Sequence, residues 1–146
     1  MNDFKRLSAT LLASPQITEA DVAEAKAQGV TAIINNRPDG ESPDQTPGDV
    51  IAAAAREHGL DYRAIPVTQA GVAHPQIDAM ADAIDAAEGT VLAYCRSGTR
   101  SAFLWALARA KAGDSPESLM QAANEAGYDL TPIRPMMVAL AQAGGG

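Results

Sequence analysis

Cysteine is nearly absent from this chain: its 146 residues contain one. A single cysteine excludes an internal disulfide and leaves no second thiol to resolve chemistry begun at the first, a usage that fits a reducing cytoplasm. Histidine is almost as scarce, with only His58 and His74. Neither has a Cys or a second His at ligand spacing, so no metal site and no cofactor is expected. Aromatic residues make up 4% of the chain, whereas much of its apolar content is alanine. Small-residue helices packed closely on a sheet follow from that balance more readily than a β-sandwich. Basic residues are outnumbered, 11 Lys and Arg against 18 Asp and Glu, for a formal charge of -7. Nucleic acid and anionic membrane surfaces need clustered Lys and Arg, so neither is an expected partner. No stretch approaches the ~20 apolar residues of a membrane span, and "MNDFKRLSATLLASPQ" lacks the sustained apolar run and cleavage pattern of a secretory leader. The expectation is one cytoplasmic domain over residues 1–146, long enough to bury a substantial core, with 144–146 as a flexible glycine tail.

What is present alternates. "LSATLLAS" reads as a short edge strand, and Thr18 in "ITEADVAEAKAQG" is placed to cap a helix that stops at Gly29. "VTAIIN" is a buried strand. Helix and strand then repeat through "DVIAAAAREHG", "LDYRAIPV", "AHPQIDAMADAIDAAEG" and "TVLAY". This predicts an α/β domain with a mostly parallel central sheet of about four to five strands flanked by helices, and ligands outside the carboxyl ends of the strands. "AFLWALARAKAG", "SPESLMQAANEAG" and "IRPMMVALAQA" are further helical segments. The longest irregular connection, "NRPDGESPDQTPGD", is crowded with Pro, Gly, Asp and Ser; loops of that length often carry function.

The lone cysteine stands at a strand end. "CRSGTRS", residues 95–101, follows "TVLAY" and runs straight into a helix. Such a turn gathers backbone N–H groups, the positive end of the helix and the guanidiniums of Arg96 and Arg100 around one point, which makes an anion cradle. The same field favours a thiolate, so Cys95 is the candidate nucleophile. Gly98 allows the loop a positive φ, and Ser97, Thr99 and Ser101 add hydroxyls. A buried, inert cysteine ending a strand is the commoner fate of a lone Cys, but it gains nothing from two arginines and three hydroxyls crowding round it.

The loop and its setting resemble the protein tyrosine and dual-specificity phosphatase superfamily, whose signature is His-Cys, a short loop, then Arg and Ser or Thr. More closely, "SPQIT", "INNRPDGE" and "YCRSGTRSAFLWAL", in that order, resemble the bacterial beta-lactamase-hydrolase-like, phosphatase-like family, whose members are commonly labelled sulfur transferases. The resemblance implies a dual-specificity-phosphatase-like fold with the Cys loop between the last strand and its helix. It also implies a Cys95 intermediate, with Arg100, Arg96 and the residues Ser97, Gly98, Thr99 and Ser101 binding the anion.

Three departures bear on the chemistry. Four residues separate Cys95 from Arg100, one fewer than in the phosphatases and the length of rhodanese-like loops that carry a persulfide. Tyr94 stands where phosphatases have His. The stretch where they place a general acid reads "IPVTQAGVA", with Thr68 and Gln69 and no carboxylate. Asp39 is the carboxylate that could replace the acid if its loop folds over Cys95; otherwise it is a turn residue before Gly40. Arg37 and Glu41 flank that loop and could face the cysteine, with Arg37 a candidate anion contact. Together the departures favour sulfur transfer: Cys95 takes sulfane sulfur from a small donor such as thiosulfate or a persulfide and, with no second cysteine, passes it to an external thiol. A phosphomonoesterase acting on a phosphate ester through phosphocysteine, and a non-catalytic anion-binding or redox-sensing module, are the alternatives.

Overall fold

The computed structural model describes residues 4–68 and 71–144. Strands β1 (Lys5–Ser8), β2 (Leu11–Ser14), β3 (Val30–Asn35), β4 (Asp61–Ala64) and β5 (Thr90–Tyr94) form one sheet in the order β1-β2-β5-β3-β4. Only β1 runs antiparallel to its neighbour; β2, β5, β3 and β4 are parallel. Helices α1 (Glu19–Ala27), α2 (Gly48–Glu57), α3 (His74–Ala86), α4 (Thr99–Lys111), α5 (Pro116–Ala126) and α6 (Arg134–Gly144) cover it.

The sequence places the layers. β3 and β5 read as unbroken apolar runs because both their faces are covered. Their side chains alternate between two cores: Ala32, Ile34, Val91 and Ala93 join α3, α4, α5 and α6 on one face, while Ile33, Leu92 and Tyr94 meet α1 and α2 on the other. The chain steps from β2 to β3 to β4 through α1 and α2, then returns through α3 on the opposite face to insert β5 between β2 and β3. That change of direction opens a crevice at the carboxyl ends of β5 and β3, the expected position for a ligand in an open α/β sheet. The loops after both strands meet there.

Two strand expectations are revised. "LSATLLAS" is not one edge strand but a tight hairpin. Arg6 donates through NH1 to the carbonyls of Ser8 (3.2 Å) and Ala9 (3.0 Å), and the Ser8 hydroxyl accepts from the Thr10 amide, which fixes the turn. Only β1 is at the edge; β2 pairs with β5. "LDYRAIPV" forms a strand only to Ala64, since Pro66 has no N–H to continue the ladder, and β4 is the other edge. Thr18 caps α1 as expected, accepting from Asp21 N while the Asp21 carboxylate accepts from Thr18 N, a reciprocal capping pair. Of the glycine tail, Gly144 ends α6 and 145–146 lie outside the described residues; so does Gln69.

Candidate active site

Cys95 leaves the end of β5 fully buried, its backbone N–H donating to the Ser14 carbonyl at 3.3 Å. One residue on, the Arg96 carbonyl accepts from Gln16 N. The end of β2 therefore holds both flanks of the nucleophile. The chain then doubles back so that Gly98 N–H donates to Cys95 Sγ at 3.1 Å. Gly98 takes φ +94° and serves as N-cap of α4, with its carbonyl accepting from Ala102 N. A side chain is excluded there twice over: the φ is left-handed, and a Cβ would overlap the Tyr128 hydroxyl. Ser97 Oγ accepts from Thr99 N (3.3 Å) and donates to Thr99 Oγ1 (3.0 Å), so these hydroxyls brace the first turn of the loop.

Arg100, in the first turn of α4, reaches across the crevice. Its NH1 and NH2 each donate to the Glu41 carboxylate at 2.7 Å, and NH1 also donates to the Val67 carbonyl at 2.7 Å. This two-pronged geometry fixes the plane of the guanidinium. A guanidinium has donors to spare beyond these partners, which remain available to an anion at the loop. Hydrogen bonding to Glu41 is the chief cause that holds Arg100 more firmly protonated than usual, against the opposing effect of burial; the Cys95 sulfur reinforces it.

Glu41 is the hinge of the charge network. Arg37 donates to it through Nε at 2.9 Å and spends its other nitrogens on Gln16 Oε1 (3.0 Å) and Ser42 Oγ (3.1 Å). The Glu41 carboxyl is held down at about 2, first by its hydrogen bond to Arg100 and further by that to Arg37 and both positive charges, with burial acting the other way. It is a permanent anion near neutrality and has no proton to give a leaving group.

Arg37, Asp39, Arg96 and Ser101 have surroundings that the sequence alone does not show. Arg37 is 4% exposed and stands behind Glu41, where it orients that carboxylate. Asp39 is drawn to the start of α2: its Oδ1 accepts from Gly48 N at 2.9 Å, supplying the cap that Pro47 cannot. Among the described residues it makes no hydrogen bond or ion pair with Cys95. Arg96 is exposed and flanks the loop from outside, where its charge is one of the smaller influences lowering the Asp44 carboxyl, chiefly held by Ser42. Cys95, Ser97, Gly98, Thr99 and Arg100 are brought together. Ser101, fully buried, faces inward and donates to Asn36 Oδ1 at 2.8 Å.

That last bond belongs to a support beneath the crevice. Asn36 donates through Nδ2 to the Ile65 carbonyl (2.9 Å) and through its backbone to the Tyr94 carbonyl (2.8 Å). It thus ties the ends of β3, β4 and β5 to α4. Tyr94 itself is 1% exposed, points to the α1 and α2 core, and has its hydroxyl proton held far more tightly than usual, mainly by burial. Its side chain therefore serves packing on the far face. Gln16 and Asn36 lie within the quoted motifs "SPQIT" and "INNRPDGE", but their partners, like that of Tyr128, are brought near only by the fold.

Comparison with known proteins agrees with this geometry. The model of the family described as beta-lactamase hydrolase-like protein, phosphatase-like domain, matches residues 3–112. A beta-lactamase hydrolase-like protein of Xylella fastidiosa is 41% identical over 104 residues, 70% of this chain and 24% of that protein. One from Agrobacterium fabrum is 39% identical over 104 residues, 71% of this chain and 24% of the relative. The chain thus spans about a quarter of the length of these curated relatives. Among solved structures, a candidate phosphatase from Neisseria meningitidis superposes with a TM-score of 0.82 at 32% identity, covering 93% of this chain and 96% of that one. TpbA from P. aeruginosa, solved in complex with pTyr, shares the fold at a TM-score of 0.67 and 18% identity over 98% of this chain and 90% of its own.

Proposed function

The chain belongs to the beta-lactamase hydrolase-like, phosphatase-like domain family, and from that premise we propose that it is a cysteine-dependent enzyme that hydrolyses phosphate monoesters through phosphocysteine. The observation that carries this reading is the Gly98 amide on Cys95 Sγ at 3.1 Å, beside an Arg100 held in plane by Glu41 and near enough for the sulfur to help keep it protonated. In the proposed cycle Sγ attacks phosphorus and the ester P–O bond breaks, the leaving oxygen taking the electron pair. Loop amides and Arg100 carry the charge on the phosphoryl oxygens, and water then attacks phosphorus to release Cys95 and inorganic phosphate. Support comes from the phosphatase-like family and from the phosphatase neighbours, one of them a complex with pTyr. Glu41 is ionised and Asp39 caps α2, so aryl phosphates with electron-withdrawing rings, whose leaving group departs as a stabilised anion, are the expected substrates.

Sulfur transfer is the second reading, favoured by a specific observation. The cradle has four residues between Cys95 and Arg100, and sulfite or a thiolate leaves without needing the acid that this crevice lacks among its described carboxylates. The order of the two readings is reversed from the one the sequence favours because of the support from the phosphatase-like family and neighbours. Turnover assays separate them. Purified protein is given an aryl phosphate in one series and thiosulfate with a thiol acceptor in another, each with Cys95→Ser as control. Phosphate release that is lost in the variant is the expected result. No phosphate release, with Cys95-dependent formation of a persulfide on the acceptor, would overturn it in favour of sulfur transfer.

A further inference from the structure

The peptide group between Ser97 and Gly98 is held from both ends. Its N–H, on Gly98, donates to Cys95 Sγ at 3.1 Å. Its C=O, on Ser97, accepts from the Tyr128 hydroxyl, a long contact of 3.5 Å from a residue 31 positions away. The same hydroxyl lies directly over the Gly98 Cα, in the space a Cβ would need. We propose that Tyr128 is a positioning residue that locks the Ser97–Gly98 peptide with its N–H toward the nucleophile.

The lock is needed because of glycine. With φ at +94°, Gly98 has no side chain to restrain rotation of the peptide preceding it. If that plane turned over, it would present a carbonyl oxygen to Sγ in place of a donor, replacing attraction for a thiolate by repulsion. Tyr128 opposes the rotation by hydrogen-bonding the carbonyl on its present side and by filling the space above Cα. A hydrogen bond at the carbonyl also polarises the peptide and strengthens its N–H as a donor.

Tyr128 is itself firmly placed. α5 ends at Gly127 with φ +95°, where Gly127 N donates to Asn124 O (3.0 Å) and Tyr128 N to Ala123 O (2.8 Å), the paired bonds of a Schellman closure. Immediately beyond, the Asp129 carboxylate accepts from Thr131 N and Oγ1, and Leu130 is buried in the core. The glycine cap turns the chain back over the loop, and Leu130 anchors it there. The family match ends at residue 112, so a segment beyond the matched span completes the nucleophile's surroundings.

The inference rests on Cys95 as nucleophile but not on any substrate, and the test is chosen accordingly. The proton resonance of the Gly98 amide is recorded in wild type, Tyr128→Phe and Tyr128→Leu, alongside the rate of Cys95 alkylation by iodoacetamide at one pH. Tyr128→Phe keeps the ring and loses the hydroxyl. It is expected to keep the wild-type melting temperature, shift the Gly98 amide upfield and slow alkylation by about threefold to tenfold, the worth of one modest hydrogen bond. Tyr128→Leu, which also vacates the space over Gly98, is expected to lose at least as much. An unchanged Gly98 resonance and alkylation rate in folded Tyr128→Phe would overturn the proposal. Because neither readout involves turnover, that result would leave the assigned activity untouched, just as a failed turnover assay would leave this lock standing.

Discussion

Replacing Glu41 by Gln removes the carboxylate that binds both buried Arg37 and partly buried Arg100. Arg100 meets it at 2.7 Å through two nitrogens and Arg37 at 2.9 Å through one. Their combined pull, led by Arg100, takes the carboxyl from its ordinary 4.5 to about 2. A displacement of that size corresponds to about 3 kcal/mol favouring the folded state, at ~1.36 kcal/mol per pH unit. With 21% of the side chain exposed, screening by water reduces this to roughly 2 kcal/mol. The folded-state value is depressed, so the contribution is complete above pH 4.5 and is lost as pH falls through about 2. Urea unfolding of wild type and Glu41→Gln from neutral pH into the acid range reads this directly. At neutral pH the variant is expected to be less stable by roughly 2 kcal/mol, partly because Arg37 is left buried without its counter-charge. Below pH 4.5 the gap should close, since only the wild type has this carboxylate to protonate. A gap that stays constant across the range, or no gap at neutral pH, would refute the ion-pair account of Glu41.

Other substitutions probe separate parts of the crevice. Asp39→Ala should cost about 1 kcal/mol by uncapping α2 while leaving kcat on an aryl phosphate within a small factor of wild type; a collapse of kcat in a folded variant would instead make Asp39 the acid. Gly98→Ala forces a side chain into a left-handed conformation, at a cost of about 2 kcal/mol or more, and into contact with the Tyr128 hydroxyl, so thermal unfolding and turnover should both suffer. Ser101→Ala leaves Asn36 Oδ1 buried without its donor and should lower stability by about 1–2 kcal/mol in denaturant melts; an unchanged midpoint would show that the support under the loop is dispensable.

Much of this site could be read from residue order, and the rest shows where such reading stops. The strand-loop-helix course of "TVLAYCRSGTRS" follows from an apolar run, a glycine and a helix-forming stretch, all local signals, and β5, the Gly98 turn and α4 follow one another as that course implies. Asp39 shows the limit. A carboxylate in a long polar loop can face a substrate or a helix end equally well, and what draws it to Gly48 is the amide at the start of α2, uncapped because Pro47 precedes it. Arg37 and Arg100 are both cations beside strand ends, and the fold decides that Arg37 lies behind Glu41 and Arg100 in front of it. The hairpin at Ala9 and Thr10 has a weak local signature, because β1 is four residues long with a single buried apolar side chain, Leu7, and its turn lacks Gly, Pro or Asn. Tyr128 carries no local signal, since the carbonyl it reaches is set by the packing of α5 against α4.

The central claim is that Cys95 forms a covalent bond to the transferred group. Intact-protein mass spectrometry after rapid acid quench of the enzyme mixed with an aryl phosphate tests it most directly. The account predicts a species heavier by one phosphoryl group, located on the peptide containing Cys95, rising and decaying with turnover and missing from Cys95→Ser. Phosphate release without any Cys95 adduct, or undiminished release by Cys95→Ser, would contradict it.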